Sequence, residues 1–342
     1  MKNSEEKYSI SVLGAGSWGM ALALVLEDNG HNVTLWEFRE DAAEKLKKTR
    51  DAKEFLPGIK IPDTIEIEND LVSACNERKV LVIAIPSHVV RGVAEKLNEI
   101  NLSHDVVLVN VAKGIENESL LRMSEVLAQT IDSVKEENVV TLSGPSHAEE
   151  VSRKIPTAIV SASVSLENSE LIQKLFMNKY FRVYTNQDII GVELGGALKN
   201  IIALAAGICD GAGYGDNTKA ALQPRGLVEI VRLGVALGAQ PITFAGLSGM
   251  GDLIVTCMSQ HSRNRYVGEQ IGKGRTLDDI LKEMVMVAEG VKTTKSAYEL
   301  SKKMNIEMPI TEQVYKVLFE NKKLDDALNE LMLRDAKKEK WG

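Results

Sequence analysis

Two residue patterns in this chain are equipped for chemistry. The first is Gly14-Ala15-Gly16-Ser17-Trp18-Gly19, a GxGxxG turn between the β-rich run Tyr8–Leu13 and a helical pattern over Ser17–Asn29. In such a turn the first glycine permits the sharp reversal. The second lets a pyrophosphate approach the backbone, and the third lets the helix pack closely on the sheet. The N–H groups of Ser17 and Trp18 at the helix start would meet phosphate oxygens, helped by the helix dipole. With a strand before it and a helix after it, the motif implies dinucleotide binding; the plain alternative is a structural turn. The second pattern is Lys199 within GVELGGALKNIIALAAG, residues 191–207. On a helix, Gly195, Gly196 and Ala203 share its face. A glycine inside a helix costs about 1 kcal/mol relative to alanine. The bare face therefore implies room for a flat ring or a small substrate. Desolvation in an apolar run lowers a lysine pKa toward the range useful for proton transfer. The alternative is a stem that covers apolar surface while the head reaches water.

Further polar clusters interrupt apolar stretches. Lys113 stands just past the β-rich run Asp105–Val111, where ligands collect in open α/β sheets. Ser143-Gly144-Pro145-Ser146-His147 is a second strand-end turn, and Ser248-Gly249-Met250-Gly251 leads into Asp252. Ser262-Arg263-Asn264-Arg265 offers donors that suit a phosphate. Ser262 also reads as an N-cap, and Asp252 as a turn cap. After the second β-rich run, Asn32–Trp36, stand Glu37, Phe38 and Arg39. An acidic residue there would bind a ribose diol and favour NAD. An arginine would pair with a 2′-phosphate and favour NADP, or stack on the adenine. Both types are present, so the choice stays open. His88 and His147 follow strand ends and read as capping or surface residues. The five histidines show no HxH or HExxH spacing, and no catalytic metal is expected.

The elements that must position these residues fall into two classes. Up to about residue 187, β-rich runs at 79–85, 105–111, 139–142, 157–161 and 181–184 alternate with helical stretches such as Ser87–Asn98 and Glu118–Gln129. Alternation of this kind predicts a doubly wound, Rossmann-type parallel sheet. Beyond it, 3.6-residue periodicity dominates 191–209, 224–238, 277–284, 293–304 and 311–319. The expectation is an α/β dinucleotide-binding domain over 1–187 and an all-α substrate domain over 188–342, with Pro224 opening a helix. The charged tail after Met332 is expected to fray.

Composition fits and excludes. The chain has 342 residues, 44% hydrophobic and 26% charged, enough to bury two cores. A net charge of -7 disfavours a basic nucleic-acid binder. Cys75, Cys209 and Cys257 lie far apart, which suits a reducing compartment. The N-terminal run does not read as a signal peptide. The longest apolar-rich run, 201–209, is half of the roughly 18 residues that a membrane span needs. A cytoplasmic protein without stable membrane insertion is expected.

These motifs in their order resemble one family, the bacterial NAD(P)-dependent glycerol-3-phosphate dehydrogenases. The matching segments are GAGSWG (14–19), FLPGIKIPDT (55–64), IPSH (85–88), AKGIE (112–116), LSGPSHAEEV (142–151), the run from 181 to 211 that contains GGALKN, GLSGMGDLIVTC (246–257), HSRNRYVG (261–268), VAEGVKTTK (287–295) and MPITE (308–312). The resemblance implies reversible reduction of dihydroxyacetone phosphate to sn-glycerol 3-phosphate, the backbone of glycerophospholipids, with NAD or NADP. It implies Lys199 as the proton donor and acceptor at the substrate C2 oxygen. Lys113, Gly144, Ser146, Asp252, Ser262, Arg263 and Asn264 match substrate positions, with Arg263 and Asn264 on the phosphate and Asp252 orienting Lys199 or binding a hydroxyl. Gly14, Gly16, Ser17, Trp18, Gly19, Phe38, Arg39, Lys113, Ala148, Arg263, Val287 and Glu289 match cofactor positions. Phe38 stands where the family often has histidine. It can stack on adenine but cannot hydrogen-bond. A homodimer is expected. Two other readings of the residues are a dehydrogenase for another substrate, a 2-hydroxy acid or another β-hydroxyacid phosphate, and a non-enzymatic dinucleotide sensor. The SRNR cluster suits a phosphate dianion better than a lone carboxylate, and a sensor has no need for Lys113, Lys199 and Asp252 together.

Overall fold

Ile10, Val12, Leu13 and the whole of Val80–Ile83 and Val107–Asn110 are buried. Strands this apolar must be covered on both faces. The computed structural model describes residues 7–339 except Val285 and Lys337, and it divides into two compact units. The N-terminal leader reading and the end of the charged tail fall partly outside the described residues.

The first unit comprises residues 1–112 and 123–189. Its elements are β1 (Ser9–Leu13), α1 (Ser17–Asp28), β2 (Asn32–Trp36), α2 (Glu40–Thr49), β3 (Glu66–Glu68), α3 (Leu71–Cys75), β4 (Val80–Ile83), α4 (Val90–Asn98), β5 (Val107–Asn110), α5 (Met123–Thr130), β6 (Val139–Ser143), α6 (Ala148–Val151), β7 (Thr157–Ala162), α7 (Leu166–Phe176) and β8 (Phe181–Asn186). The strand order is β3-β2-β1-β4-β5-β6-β7-β8, so chain order reverses beside β1, where ligands bind in doubly wound sheets. β1 to β6 are parallel, as expected. β7 runs antiparallel to β6, and β8 follows β7 in parallel, so the last two strands depart from the all-parallel reading.

The second unit comprises residues 113–122 and 190–342. Its helices are α8 (Ile189–Gly211), α9 (Asp216–Ala236), α10 (Asp252–Met258), α11 (Arg263–Gly272), α12 (Leu277–Glu283), α13 (Glu289–Lys303), α14 (Pro309–Phe319) and α15 (Leu324–Met332). α8 is its axis. By length and hydropathy it could span a membrane, yet 94% of its most apolar window is buried inside the protein, which makes it a core helix. α11 lies against it with bare backbone: a Cβ on Gly207 would come within 2.0 Å of the Arg265 carbonyl oxygen, and one on Gly268 within 2.0 Å of that of Leu204. This contact sets Arg263 and Asn264 in place relative to Lys199.

Three expectations need correction. A single cut after residue 187 is too simple, because Lys113–Arg122 groups with the helical unit. The helix expected from Glu118 begins only at Met123. Before it, Ile115 bridges Arg122 and Leu120 adopts φ +62, closing a tight hairpin. Pro224 lies inside α9 instead of opening it. Its ring and Ala220 are both exposed, and proline offers the Ala220 carbonyl no N–H.

Candidate active site

In the first unit the glycine turn is built as the motif requires. Gly14 has φ +117, and a Cβ there would stand 2.4 Å from the Ala84 carbonyl oxygen, just past β4. A Cβ on Gly19 would stand 1.9 Å from the Gly14 carbonyl oxygen. At Gly16 a Cβ would meet nothing within 4 Å, which is the space a ligand backbone approach needs. No side chain caps α1, whose N-cap is Gly16 itself, and its first turn carries no acidic residue. That terminus suits an anion. Ser17 Oγ donates to the Phe55 carbonyl at 3.0 Å. The buried Trp18 Nε1–H has no partner among the described residues. Glu37 is buried, and one of its carboxylate oxygens accepts from the Arg39 backbone N–H at 3.1 Å and from Arg39 Nε at 3.3 Å. Phe38 is 69% exposed. Gly144 follows β6, the Ser146 hydroxyl donates to its carbonyl at 2.9 Å, and Ala148 opens α6.

In the second unit three charges converge. Lys199 is 5% exposed, and its Nζ donates to Asp252 Oδ1 at 2.7 Å and to Thr256 Oγ1 at 2.5 Å. Lys113 Nζ donates to Asp252 Oδ2 at 2.6 Å. Asp252 therefore caps no turn: each of its oxygens holds a lysine. Burial pushes the Lys199 ammonium down to about 8, because desolvation and the Lys113 charge outweigh the attraction of Asp252. The two ammonium groups hold the Asp252 carboxyl below its usual range in spite of its burial. Thr256 sits one helical turn after Asp252 and donates to its carbonyl at 2.6 Å, which leaves an oxygen lone pair aimed at Lys199. Sequence reasoning missed Thr256; its signal was the four-residue spacing from Asp252.

Gly195 does not leave ligand space beside Lys199, contrary to the sequence reading. A Cβ there would stand 2.7 Å from the Ser248 carbonyl oxygen, so Gly195 serves the close approach of the Leu247–Gly251 turn. That approach sets Asp252 against Lys199. Ser262 caps α11, accepting from the Arg265 N–H at 3.2 Å. Arg265 is committed to Asp210, with Nε at 2.8 Å and Nη2 at 2.6 Å. The Asn264 amide donates to Asn200 Oδ1 at 2.9 Å and accepts from the Gly290 N–H at 2.8 Å. It thus ties α11 to α8 and to the start of α13, which Glu289 opens. Val287 precedes that start and is partly buried. Lys113, Arg263, Val287 and Glu289 belong to the helical unit, so the residues expected at the cofactor are divided between the units.

Two family models cover most of the chain. The N-terminus of NAD-dependent glycerol-3-phosphate dehydrogenase matches residues 9–169, and its C-terminus matches 188–329. The chain belongs to the NAD-dependent glycerol-3-phosphate dehydrogenase family. It is 54% identical over 330 residues to the glycerol-3-phosphate dehydrogenase [NAD(P)+] of Prosthecochloris aestuarii, covering 96% of this chain and 99% of that one. It is 55% identical over 333 residues to the enzyme of the same name from a Thermoanaerobacter species, covering 97% and 99%. The crystal structure of glycerol-3-phosphate dehydrogenase from Coxiella burnetii superposes with a TM-score of 0.91 at 35% identity, over 96% of this chain and 99% of that one. D-mandelate dehydrogenase, at 12% identity and a TM-score of 0.59 over 92% of this chain and 98% of that one, shares the fold alone. The family membership makes the chain an NAD(P)-dependent oxidoreductase and matches both the glycine turn and the helical unit.

Proposed function

We propose that Lys199 is the proton donor and acceptor in the reversible reduction of dihydroxyacetone phosphate to sn-glycerol 3-phosphate. An ammonium has three N–H donors. Two are taken by Asp252 and Thr256, and the third meets no protein group among the described residues. That third donor carries the proposal. In the reducing direction it hydrogen-bonds the C2 carbonyl oxygen, stabilises the developing alkoxide and delivers the proton. In the oxidising direction neutral Lys199 takes the proton back. Asp252 orients Lys199, while Lys113 leaves the trio with one net positive charge for an anionic substrate.

The phosphate goes to Arg263 and to the remaining amide hydrogen of Asn264, at the start of α11, with Ser262 holding that start in shape. Gly144 and Ser146 are assigned to the substrate as well. A nicotinamide bound there would supply or accept the hydride. Gly14, Gly16 and Gly19 shape the turn for its pyrophosphate, with the N–H groups of Ser17 and Trp18 on the phosphate oxygens. Ala148, Val287 and Glu289 complete the cofactor contacts, and Phe38 offers a ring to the adenine. The second carboxylate oxygen of Glu37 suits a ribose hydroxyl. Arg39, whose side chain is 42% exposed, can turn to a 2′-phosphate. The pair therefore accommodates NAD or NADP. Buried free cysteines support a cytoplasmic, reducing setting. A homodimer is part of the same reading, on the family resemblance alone.

The test is Lys199→Met assayed with dihydroxyacetone phosphate and NADH or NADPH. Turnover is expected to fall about 10³-fold while NADH binding, followed by fluorescence, is retained. Turnover near that of the unaltered enzyme would refute the role.

A further inference from the structure

Lys113 reaches Asp252 from a short excursion of the chain. Ala112 and Met123 belong to the sheet-bearing unit, but the ten residues Lys113–Arg122 group with the helices. The excursion is closed on itself by the Ile115–Arg122 bridge and by the Glu116 N–H donating to the Leu121 carbonyl at 3.0 Å. Ile115 is buried in the helical core, and Ser296 Oγ donates to its carbonyl at 3.0 Å. At the far end, Arg122 Nη1 meets Glu193 Oε2 at 2.6 Å, both side chains being less than 10% exposed. Glu193 lies on α8 six residues before Lys199, about 9 Å along the axis.

We propose that the buried Arg122–Glu193 pair is a positioning device, which holds the excursion in the register that puts Lys113 and Lys199 on one carboxylate. This deepens the role given to Lys199 and rests on it. Burying two charges is a poor way to gain stability, since an apolar pair of similar volume does as well or better. What a guanidinium–carboxylate contact adds is fixed direction. Here that direction is shared with the helix that carries the reacting lysine.

The experiment is a double-mutant cycle between Arg122→Met and Lys113→Met, with pH profiles of kcat and melting curves. Arg122→Met alone is expected to lower kcat about tenfold with NADH binding unchanged. In the Lys113→Met background the same change is expected to cost less than twofold, because the group it positions is gone. Lys199 faces Asp252, Lys113 and Cys257, and the Lys113 charge depresses its pKa. Displacing Lys113 therefore moves the alkaline limb of the reduction profile upward, in Arg122→Met as in Lys113→Met. Losses that multiply, or a limb that stays in place, overturn the proposal. Should Arg122→Met fail to fold, Arg122→Met/Glu193→Met removes both charges of the pair together. Near-native melting with a tenfold loss of kcat supports positioning; full activity overturns it. A fully active Lys199→Met would instead refute the underlying catalytic role, so the two failures are distinguishable.

Discussion

As proposed anion sites, the glycine turn after β1 and the lysine pair on Asp252 are built by opposite means. The turn works by omission: side chains are missing at Gly14, Gly16 and Gly19, and backbone N–H groups at the start of α1 are presented without a side-chain cap. Its cost lies in backbone conformation and is insensitive to pH. The lysine pair works by burial of charge, and its cost is desolvation, visible in the depressed Lys199 pKa. One region should therefore respond to shape and hardly to pH, and the other to pH.

The largest expected effect is on shape. Gly19→Ala puts a Cβ 1.9 Å from a backbone oxygen that cannot yield. A loss of about 3 kcal/mol, or a melting point roughly 6–12 °C lower, is expected. An unchanged melting curve would show that the strand–helix contact is looser than the structure implies. Next comes pH. Lys199 is protonated below about 8, so dihydroxyacetone phosphate reduction should fall above that value and glycerol 3-phosphate oxidation should rise through it. Each limb should approach tenfold per pH unit, and parallel limbs in the two directions would contradict a single acid–base group. Gly16→Ala sharpens the contrast from the other side. Its Cβ enters open space, so the fold should keep its melting point while NADH affinity drops about tenfold, at every pH between 6 and 9. The smallest effect is at Arg39, where Arg39→Ala should raise the NADPH KM several-fold and leave that of NADH alone. Equal loss with both cofactors argues against a 2′-phosphate contact.

The first unit was legible where local rules decide. A GxGxxG turn carries its own geometry, and the runs at β4 and β5 are apolar throughout because both faces are covered. The reversal at β7 was not legible, since strand direction is a property of the connection and not of Thr157–Ala162. In the helical unit Lys199 stood out, but one residue of its bare face was misread: Gly195 admits a neighbouring turn. Periodicity did not reveal the hairpin before Met123, because the left-handed Leu120 leaves no mark in apolar spacing. Arg122 and Glu193 are 71 residues apart, and nothing local connects them.

That separation has a consequence for synthesis. At about 5–20 residues per second, Arg122 leaves the ribosome roughly 4–14 s before Glu193. The contact that joins the hairpin bearing Lys113 to α8 therefore forms only once α8 has been made. The sheet, too, lacks β6, β7 and β8 until after the excursion has been translated. A nascent chain halted shortly after Asn186 would hold every strand of the first unit and yet carry Lys113 on a hairpin with none of α8 to α15 to receive it.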